Sequence, residues 1–277
     1  PCSDERLLQA AAIEPSRLAY ILFTSGSTGR PKCVMVEHGG MLNHVYGKLN
    51  DLGIGAGDVV AQNGPASFDV SVWQWLGPLV AGGAGGRALV VPDDVARDPA
   101  ALLEAVISGG VNILEMVPSL MTLLVDEIER RGASRPSLAA LRWMVPTGET
   151  LPPELCRRWL ALAPHAPLMN TYGHTECSDD EVHWKIYEPP PADEVRVPVG
   201  RPIGNLRTYV LDADLQPVPP GVTGDVYMGG AGVGRGYRAR PAQTASAFVP
   251  DPFGGESGAR IYRTGDVGRW RAEGCLD

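Results

Sequence analysis

Thr24-Ser25-Gly26-Ser27-Thr28-Gly29-Arg30-Pro31-Lys32 packs four hydroxyls, two glycines and two cations into nine residues. An apolar run, Leu18 to Phe23, precedes it and reads as a buried strand; a second β-prone run, Val34-Met35-Val36, follows. Glycines free backbone N–H groups to turn toward one point, and the hydroxyls and Lys32 add further donors. A polyphosphate needs such a cradle. The stretch is not a Walker loop, which requires G-x-x-x-x-G-K-[ST] opening a helix. Pro31 stands directly before the lysine, where no helix runs undisturbed. On composition alone a Ser/Gly-rich surface loop fits as well.

Around this stretch the chain is ordinary in make-up. It has 277 residues, 44% apolar and 20% charged, enough for one large domain or two smaller ones. The net charge of −8 argues against a nucleic-acid partner held by phosphate contacts. The 34 glycines and 25 prolines imply many short connections. No apolar run reaches membrane-spanning length and the start has no signal-peptide pattern, so no membrane partner is expected. The five cysteines (Cys2, Cys33, Cys156, Cys177, Cys275) are scattered, without a C-x-x-C pair. Neither a zinc site nor a disulfide framework follows, and reduced thiols in a cytoplasmic protein are the expectation. Pro1-Cys2-Ser3 begins abruptly and Gly274-Cys275-Leu276-Asp277 stops without a terminating signal, so the sequence reads as a piece of a longer chain.

Strands and helices alternate over most of the length. Residues 1–17 suggest a short helix and a connection. His38 to Asp51 carries Met41, Leu42, Val45 and Leu49 at helical spacing, and Gly53 to Gly57 ends it. Asp58 to Ala61, Ala88 to Val91, Val111 to Val117, Leu141 to Val145 and Leu168 to Tyr172 read as strands. Asp98-Pro99 places an N-cap and an N1 proline at the start of a helix through Ile107. Pro118 opens a helix to about Arg130, and Pro152-Pro153-Glu154 another to about Leu162. This order predicts βαβ units and a layered, mainly parallel sheet with flanking helices over residues 1–188. Prolines at 189–191, 198 and 202 mark a linker. Beyond it, short β-like runs at Leu206–Leu211, Asp225–Met228, Arg260–Arg263 and Val267–Trp270 predict a small β-rich unit over 189–277, a distorted barrel with one helix near Pro241 to Phe248.

Four further segments carry chemistry. Phe68-Asp69-Val70-Ser71-Val72-Trp73 reads structurally as a helix start with an acid at its N-terminus. Gly148-Glu149-Thr150-Leu151-Pro152 is a turn and helix start after a strand. Asn170-Thr171-Tyr172-Gly173-His174-Thr175-Glu176 also follows a strand. Tyr262-Arg263-Thr264-Gly265-Asp266 alone is an ordinary strand-end turn. Glycines at 229–236 have dinucleotide-like spacing, but no helix of the required unit follows them.

In this order and at these spacings the segments resemble the adenylate-forming, AMP-binding superfamily, and within it the adenylation domains of nonribosomal peptide synthetases. The loop at 24–32 resembles the family's signature loop, which implies that Thr24, Ser25, Gly26, Ser27, Thr28, Gly29 and Lys32 hold the β- and γ-phosphates of ATP. The usual form ends Lys-Pro-Lys-Gly; Arg30 and Cys33 depart from it. Phe68 to Trp73 resembles FDxSxWE of the amino-acid-activating branch, in which the Asp, here Asp69, pairs with the substrate's α-ammonium. Gln74 replaces the usual Glu and is not expected to affect the chemistry. Gly148 and Glu149 would border the adenine pocket. Asn170 to Glu176 resembles NxYGPTE, which implies that Tyr172 stacks on adenine, Thr175 bonds the α-phosphate and Glu176 ligates Mg²⁺, a hard cation suited to carboxylate and phosphate oxygens. His174 replaces the usual Pro and reads as a tolerated loop residue rather than a base. Gly224 to Tyr237 resembles a structural turn under the site. Tyr262 to Asp266 matches YRTGD, and Asp266 would bind the ribose hydroxyls. The match runs from about residue 18 to 270; most of the region before the loop, and the mobile C-terminal lid with its lysine, have no counterpart.

The implied reaction is attack of an amino-acid carboxylate on the α-phosphate of ATP, giving aminoacyl-AMP and pyrophosphate. Lys32, Thr175 and Glu176 would carry catalysis by positioning and charge neutralisation. Transfer to a phosphopantetheine thiol of a peptidyl carrier protein would follow, beside neighbouring synthetase modules. The carried-over side-chain pocket is Asp69, Val70, Trp73, Glu115, Val145, Thr147, Thr171, Asp179 and Asp180. Trp73 should make it shallow. Burying Glu115, Asp179 and Asp180 without a cation costs several kcal/mol each. A short diamino acid such as 2,4-diaminobutyrate would answer that cost; the alternative is that Asp179-Asp180-Glu181 is a solvated loop and the substrate is merely polar, such as serine. An acyl-CoA or aryl-acid ligase, which Asp69 argues against, and a fragment that binds without turnover are the other readings. Residues 1–277 alone are expected to be nearly inactive without the lid.

Overall fold

The computed structural model describes residues 13–25, 31–81, 86–134 and 137–277. The expected helix before residue 13, and the phosphate-loop residues Gly26, Ser27, Thr28, Gly29 and Arg30, lie outside the described residues.

Strands β1 (Leu18–Thr24) and β2 (Lys32–Glu37) form an antiparallel hairpin in which Thr24 faces Lys32. The described strands thus flank the expected phosphate loop on both sides. β1 lies at the edge of its sheet, so its apolar run is only partly covered: Phe23 is 69% exposed, against the expectation of a buried strand. Helix α1 (His38–Leu52) follows and ends at Gly53 in the left-handed region.

Next come β3 (Val59–Gln62), α2 (Val70–Val80), β4 (Arg87–Val90), a one-turn α3 (Asp93–Ala96), α4 (Pro99–Ser108), β5 (Ile113–Met116), α5 (Pro118–Arg131), β6 (Trp143–Pro146), α6 (Pro153–Leu162) and β7 (Leu168–His174). Asp98 caps α4 as its sequence suggests, accepting from the N–H groups of Ala100 and Ala101. Strands β3 to β7 are parallel. Two more strands extend the sheet antiparallel: β8 (Asp179–Ile186) beside β7, then β9 (Arg201–Pro202), giving the order β4-β3-β5-β6-β7-β8-β9. β8 was not anticipated, because its first three residues are acids that read as a loop.

Side chains alternate across a strand. Leu114, Met116, Met144 and Leu168 enter a core with α4, α5 and α6, through Leu103, Met121, Leu124 and Trp159. Ile113, Trp143, Val145 and Met169 point the other way, onto Val45, Leu49 and Leu52 of α1 and Trp73 of α2. Glu115 lies two residues on from Ile113 and shares that second face, so an acid is carried under α1 and α2.

The rest is β-rich. β10 (Leu206–Leu211), β11 (Gly224–Gly230), β13 (Phe248–Pro250) and β14 (Arg260–Gly268) form an antiparallel sheet in the order β10-β11-β14-β13. The two strands expected at 260–263 and 267–270 are one bent strand, β14. β12 (Gly236–Tyr237) instead joins β2, and α7 spans Pro241–Ala247. The phosphate-loop hairpin is therefore in one sheet with a strand from the C-terminal part. A shared core of Val34, Val36, Val210, Val226, Met228 and Tyr262 fills the space between. Among the described residues no helix is long and apolar enough to cross a membrane.

One close approach shapes the β7–β8 turn. A Cβ on Gly173 would lie 2.1 Å from the Asp179 carbonyl oxygen. Ser178 and Asp179 themselves take φ of 74° and 85°, unusual for side chains of this kind. Gly173→Ala is expected to lower unfolding stability by about 1–3 kcal/mol, the range for forced overpacking. Urea denaturation of the variant beside the parent checks this.

Candidate active site

The parallel strands β5, β6 and β7 end at a common edge, where α/β folds bind their ligands. α2 starts there, the β7–β8 turn passes over it, and Asp266 of β14 faces it. A cleft of about 530 Å³ is lined by Gly148, Glu149, Thr171, Tyr172, His174 and Asp266, among others. The sequence had placed five of these six in the site.

In that cleft the Tyr172 hydroxyl donates to Asp266 Oδ2 at 2.8 Å. His174 Nε2 lies 3.2 Å from the same oxygen and Nδ1 lies 3.5 Å from Glu181 Oε2. Burial disfavours a charge on His174, but the hydrogen bonds to Asp266 and Glu181 outweigh it and hold its pKa up at about 10. His174 thus bridges two acids that favour its charged form, and it sits at the end of β7. Glu149 lines the cleft, yet its carboxylate accepts from the Ser119 N–H and hydroxyl, each at 2.9 Å, and so caps α5.

At the hairpin, Lys32 Nζ lies 2.9 Å from Glu176 Oε1 and 3.0 Å from the Tyr237 hydroxyl, which donates to the same Glu176 oxygen at 2.8 Å. Burial opposes both charges. The pairing overcomes it, raising the Lys32 pKa and lowering that of Glu176. Among the described residues Glu176 Oε2 takes no hydrogen bond. The buried Thr24 hydroxyl also has no partner there.

Thr175 and Asp69 meet directly. The Thr175 hydroxyl donates to Asp69 Oδ2 at 2.5 Å, and the Val70 N–H to Asp69 Oδ1 at 3.0 Å. Burial raises the Asp69 pKa, the Thr175 hydrogen bond partly offsetting it. Residue 175, expected at the α-phosphate, is here engaged with the carboxylate expected at the amine.

Of the other expected pocket positions, Trp73, Glu115, Thr147 and Asp180 share one largely buried polar network. Trp73 Nε1 donates to Glu115 Oε2 at 2.5 Å, with Gln74 Nε2 3.3 Å from the same oxygen. Gln74 Oε1 also accepts from the Asn63 and Gly64 N–H groups, so it fixes the loop before α2 against Glu115. Thr147 donates to Asp180 Oδ1 at 2.9 Å, and Thr171 to the Pro146 carbonyl at 3.3 Å. Val145 is fully buried and Val70 packs beside Trp73. Asp179, Asp180 and Glu181 are 6%, 3% and 0% exposed, which removes the solvated-loop alternative.

The structure adds a residue that was not foreseen. Lys48 of α1 is wholly buried, and its Nζ lies 2.6 Å from both Glu115 Oε1 and Asp180 Oδ2. Burial disfavours its charge, but Asp180 and Glu115 raise its pKa further; burial raises that of Glu115, and Lys48 draws that of Asp180 down against burial. The cost of burying three acids is therefore met in large part by the chain itself. The signal was a lysine on the apolar face of α1, three residues after Val45 and four before Leu52. His44, one turn earlier, lies 3.5 Å from Asp179 Oδ2 and is kept neutral, burial pushing its pKa down to about 3. Burial and the neighbouring Asp69 and Asp180 push Asp179 up. His44, Asp179 and Asp180 could group around a metal ion, but Lys48 already brings a cation to Asp180.

The fold and the cleft define an enzyme of the nucleotide-dependent, adenylate-forming kind. The chain belongs to the AMP-binding enzyme family, whose pattern matches residues 2–238. It is 42% identical over 265 residues to phosphinothricin tripeptide synthetase PhsB of Streptomyces viridochromogenes, covering 96% of this chain and 21% of that protein. It is 42% identical over 267 residues to enterobactin synthase component F of Escherichia coli, covering 95% and 20%. The chain thus spans about one fifth of the length of these relatives. The crystal structure of the nonribosomal peptide synthetase FmoA3 superposes with a TM-score of 0.85 at 33% identity, over 95% of this chain and 27% of that one. Its AMPPNP-bound form gives 0.84, again at 33% identity and over the same shares.

α1, which brings Lys48 and His44 to the buried acids, is tied to β8 at its far end. Asp51 Oδ2 lies 2.8 Å from His183 Nδ1 and Oδ1 lies 3.2 Å from Lys185 Nζ. The His183 hydrogen bond, against burial and with help from Lys185, lowers the Asp51 pKa below its ordinary 3.8. A lowered carboxylate contributes stability above its unfolded pKa and loses it as pH falls through the folded value. Asp51→Asn is expected to cost about 0.5–1 kcal/mol at pH 7, the size of a partly screened pair. The difference from the parent should shrink below about pH 4, which urea melts across pH 3–7 would show.

Proposed function

We propose that these residues form the larger part of an adenylation module that joins an amino acid to AMP at the expense of ATP. One observation carries the reading. Thr175 is bonded to Asp69 while its neighbour Glu176 is bonded to Lys32, so amine-recognising and phosphate-recognising groups adjoin along one short turn. The amino-acid carboxylate is already ionised at neutral pH, so no general base is required. Asp69 receives the α-ammonium. Lys32 neutralises the departing pyrophosphate, with Thr24, Ser25, Gly26, Ser27, Thr28 and Gly29 cradling it. Thr175 serves the α-phosphate once the amine has taken Asp69. Tyr172, Gly148 and Glu149 border the adenine, and Asp266 accepts from the ribose hydroxyls.

Glu176 suits Mg²⁺, because one of its oxygens holds Lys32 and Tyr237 while the other is uncommitted among the described residues. A bound Mg²⁺ would neutralise phosphate charge there. Residues 1–188 supply the amino-acid pocket and 189–277 complete the nucleotide site. In the full-length protein the adenylate passes to a carrier-protein phosphopantetheine thiol beside neighbouring synthetase modules, in the cytoplasm.

For the substrate we favour a short diamino acid such as 2,4-diaminobutyrate. Lys48 answers Glu115 and Asp180, and Asp179 is left for one cation. A second reading, a neutral hydroxy amino acid such as serine, is favoured by the same compensation; FmoA3, 32% identical, has a structure with α-methyl-L-serine-AMP bound. A pyrophosphate-exchange panel on the full-length protein separates them. Diaminobutyrate is expected to lead, and serine ahead of it ends the diamino reading. Fatty or aryl acids exchanging as well as amino acids would sink amino-acid activation itself. Asp69→Ala should lower kcat/KM for the amino acid by about 10–100-fold, the loss of one or two charge-assisted hydrogen bonds.

A further inference from the structure

Lys48 lies outside the nine pocket positions, yet it engages three of them. Its ammonium touches Glu115 and Asp180 and sits 5.0 Å from the centre of the Trp73 ring. These three side chains come from β5, β8 and α2, and all three are positions expected to line the pocket. With Lys48 in place the other oxygen of each acid is also taken: Glu115 by Trp73 and Gln74, Asp180 by Thr147. Asp179 differs. Lys48 lies 2.6 Å from Asp180 Oδ2, whereas Asp179 Oδ2 has no hydrogen bond and only the neutral His44 beside it, at 3.5 Å. The pocket therefore holds two acids already answered from within and one that is not.

We propose that Lys48 is a specificity-determining residue of the amino-acid pocket, its ammonium occupying the place between Glu115 and Asp180 that the side-chain ammonium of a longer diamino acid would need. The pocket then admits a side chain that ends at Asp179 and turns away ornithine and lysine. This rests on the reading of the pocket given above. The physical cause is exclusion of a second cation from a buried site whose carboxylates are already paired.

Removing Lys48 tests it. Lys48→Ala leaves two buried acids facing a space that a longer cationic side chain can fill. In pyrophosphate exchange with the full-length protein, the ratio of kcat/KM for ornithine or lysine to that for diaminobutyrate is expected to rise by about ten-fold or more, the worth of a restored charge-assisted hydrogen bond. Unpaired acids could prevent folding, so Lys48→Ala/Glu115→Gln, which removes one charge of each sign, is measured beside it. Lys48→Met/Glu115→Gln has the same charge but fills the space, and should show no such rise. A folded alanine variant, single or double, with an unchanged ratio overturns the proposal. So does one that loses all amino acids alike, because Lys48 then only holds the structure. A parent protein that activates fatty or aryl acids but no amino acid overturns the pocket reading, and this inference with it. A parent active on amino acids with an unresponsive ratio leaves that reading standing and removes only the role of Lys48.

Discussion

One buried ammonium joins the layers of this molecule. Lys48 descends from α1 and binds carboxylates from β5 and β8, strands separated in the sheet by β6 and β7. Such a group is expensive to desolvate, and removing one partner of a buried pair costs about 3–5 kcal/mol. Its surroundings are arranged to meet the cost. Trp73 and Gln74 complete Glu115, and Thr147 completes Asp180. The same hydrogen bonds fix the start of α2, and with it Asp69. The register of the pocket and its charge balance are one constraint.

A second set of contacts draws on distant parts of the chain. Tyr172 and His174 of β7 meet Asp266 of β14, and Lys32 of β2 and Tyr237 of β12 meet at Glu176. β2 and β12 lie in one sheet, so the β1–β2 hairpin is hydrogen-bonded to the C-terminal part of the chain. The β7–β8 turn is therefore the hub. Thr175 bonds Asp69, Glu176 bonds Lys32 and His174 bonds Asp266, within three consecutive residues. The backbone there is tight: Gly173 has no room for a side chain, and Ser178 and Asp179 take left-handed conformations. Strain of this kind persists where the surroundings over-determine it, as they do at a site that must hold several groups at once.

Much of this was legible beforehand for local reasons. Alternating apolar runs and capped helix starts mark β3 to β7 and α4 to α6, because period and caps are properties of a few adjacent residues. The acidic opening of β8 defeated that reading. Asp179, Asp180 and Glu181 look solvated in one dimension; inside, Lys48 meets Asp180 and His174 meets Glu181, while burial pushes the Asp179 carboxyl pKa up. The buried face of α1 concealed Lys48 for the converse reason: its stem follows the helical stripe, while its charge is answered 67 and 132 residues away. β1 misled through its hydrophobicity, since its place at the edge of a sheet is not written in its own residues.

The sequence by itself determined the αβ alternation, the β-rich end and which residue types gather at the strand termini, since these follow from short-range spacing. The tertiary structure alone decided the surroundings of these acids: that His174 lies between Asp266 and Glu181, that Lys48 is shared by Glu115 and Asp180, and that Asp179 has only a neutral His44 beside it. A carboxylate's electrostatics depend on what lies within a few ångströms of it in three dimensions. Strand order and helix docking bring those neighbours from far along the chain, and no local pattern records them.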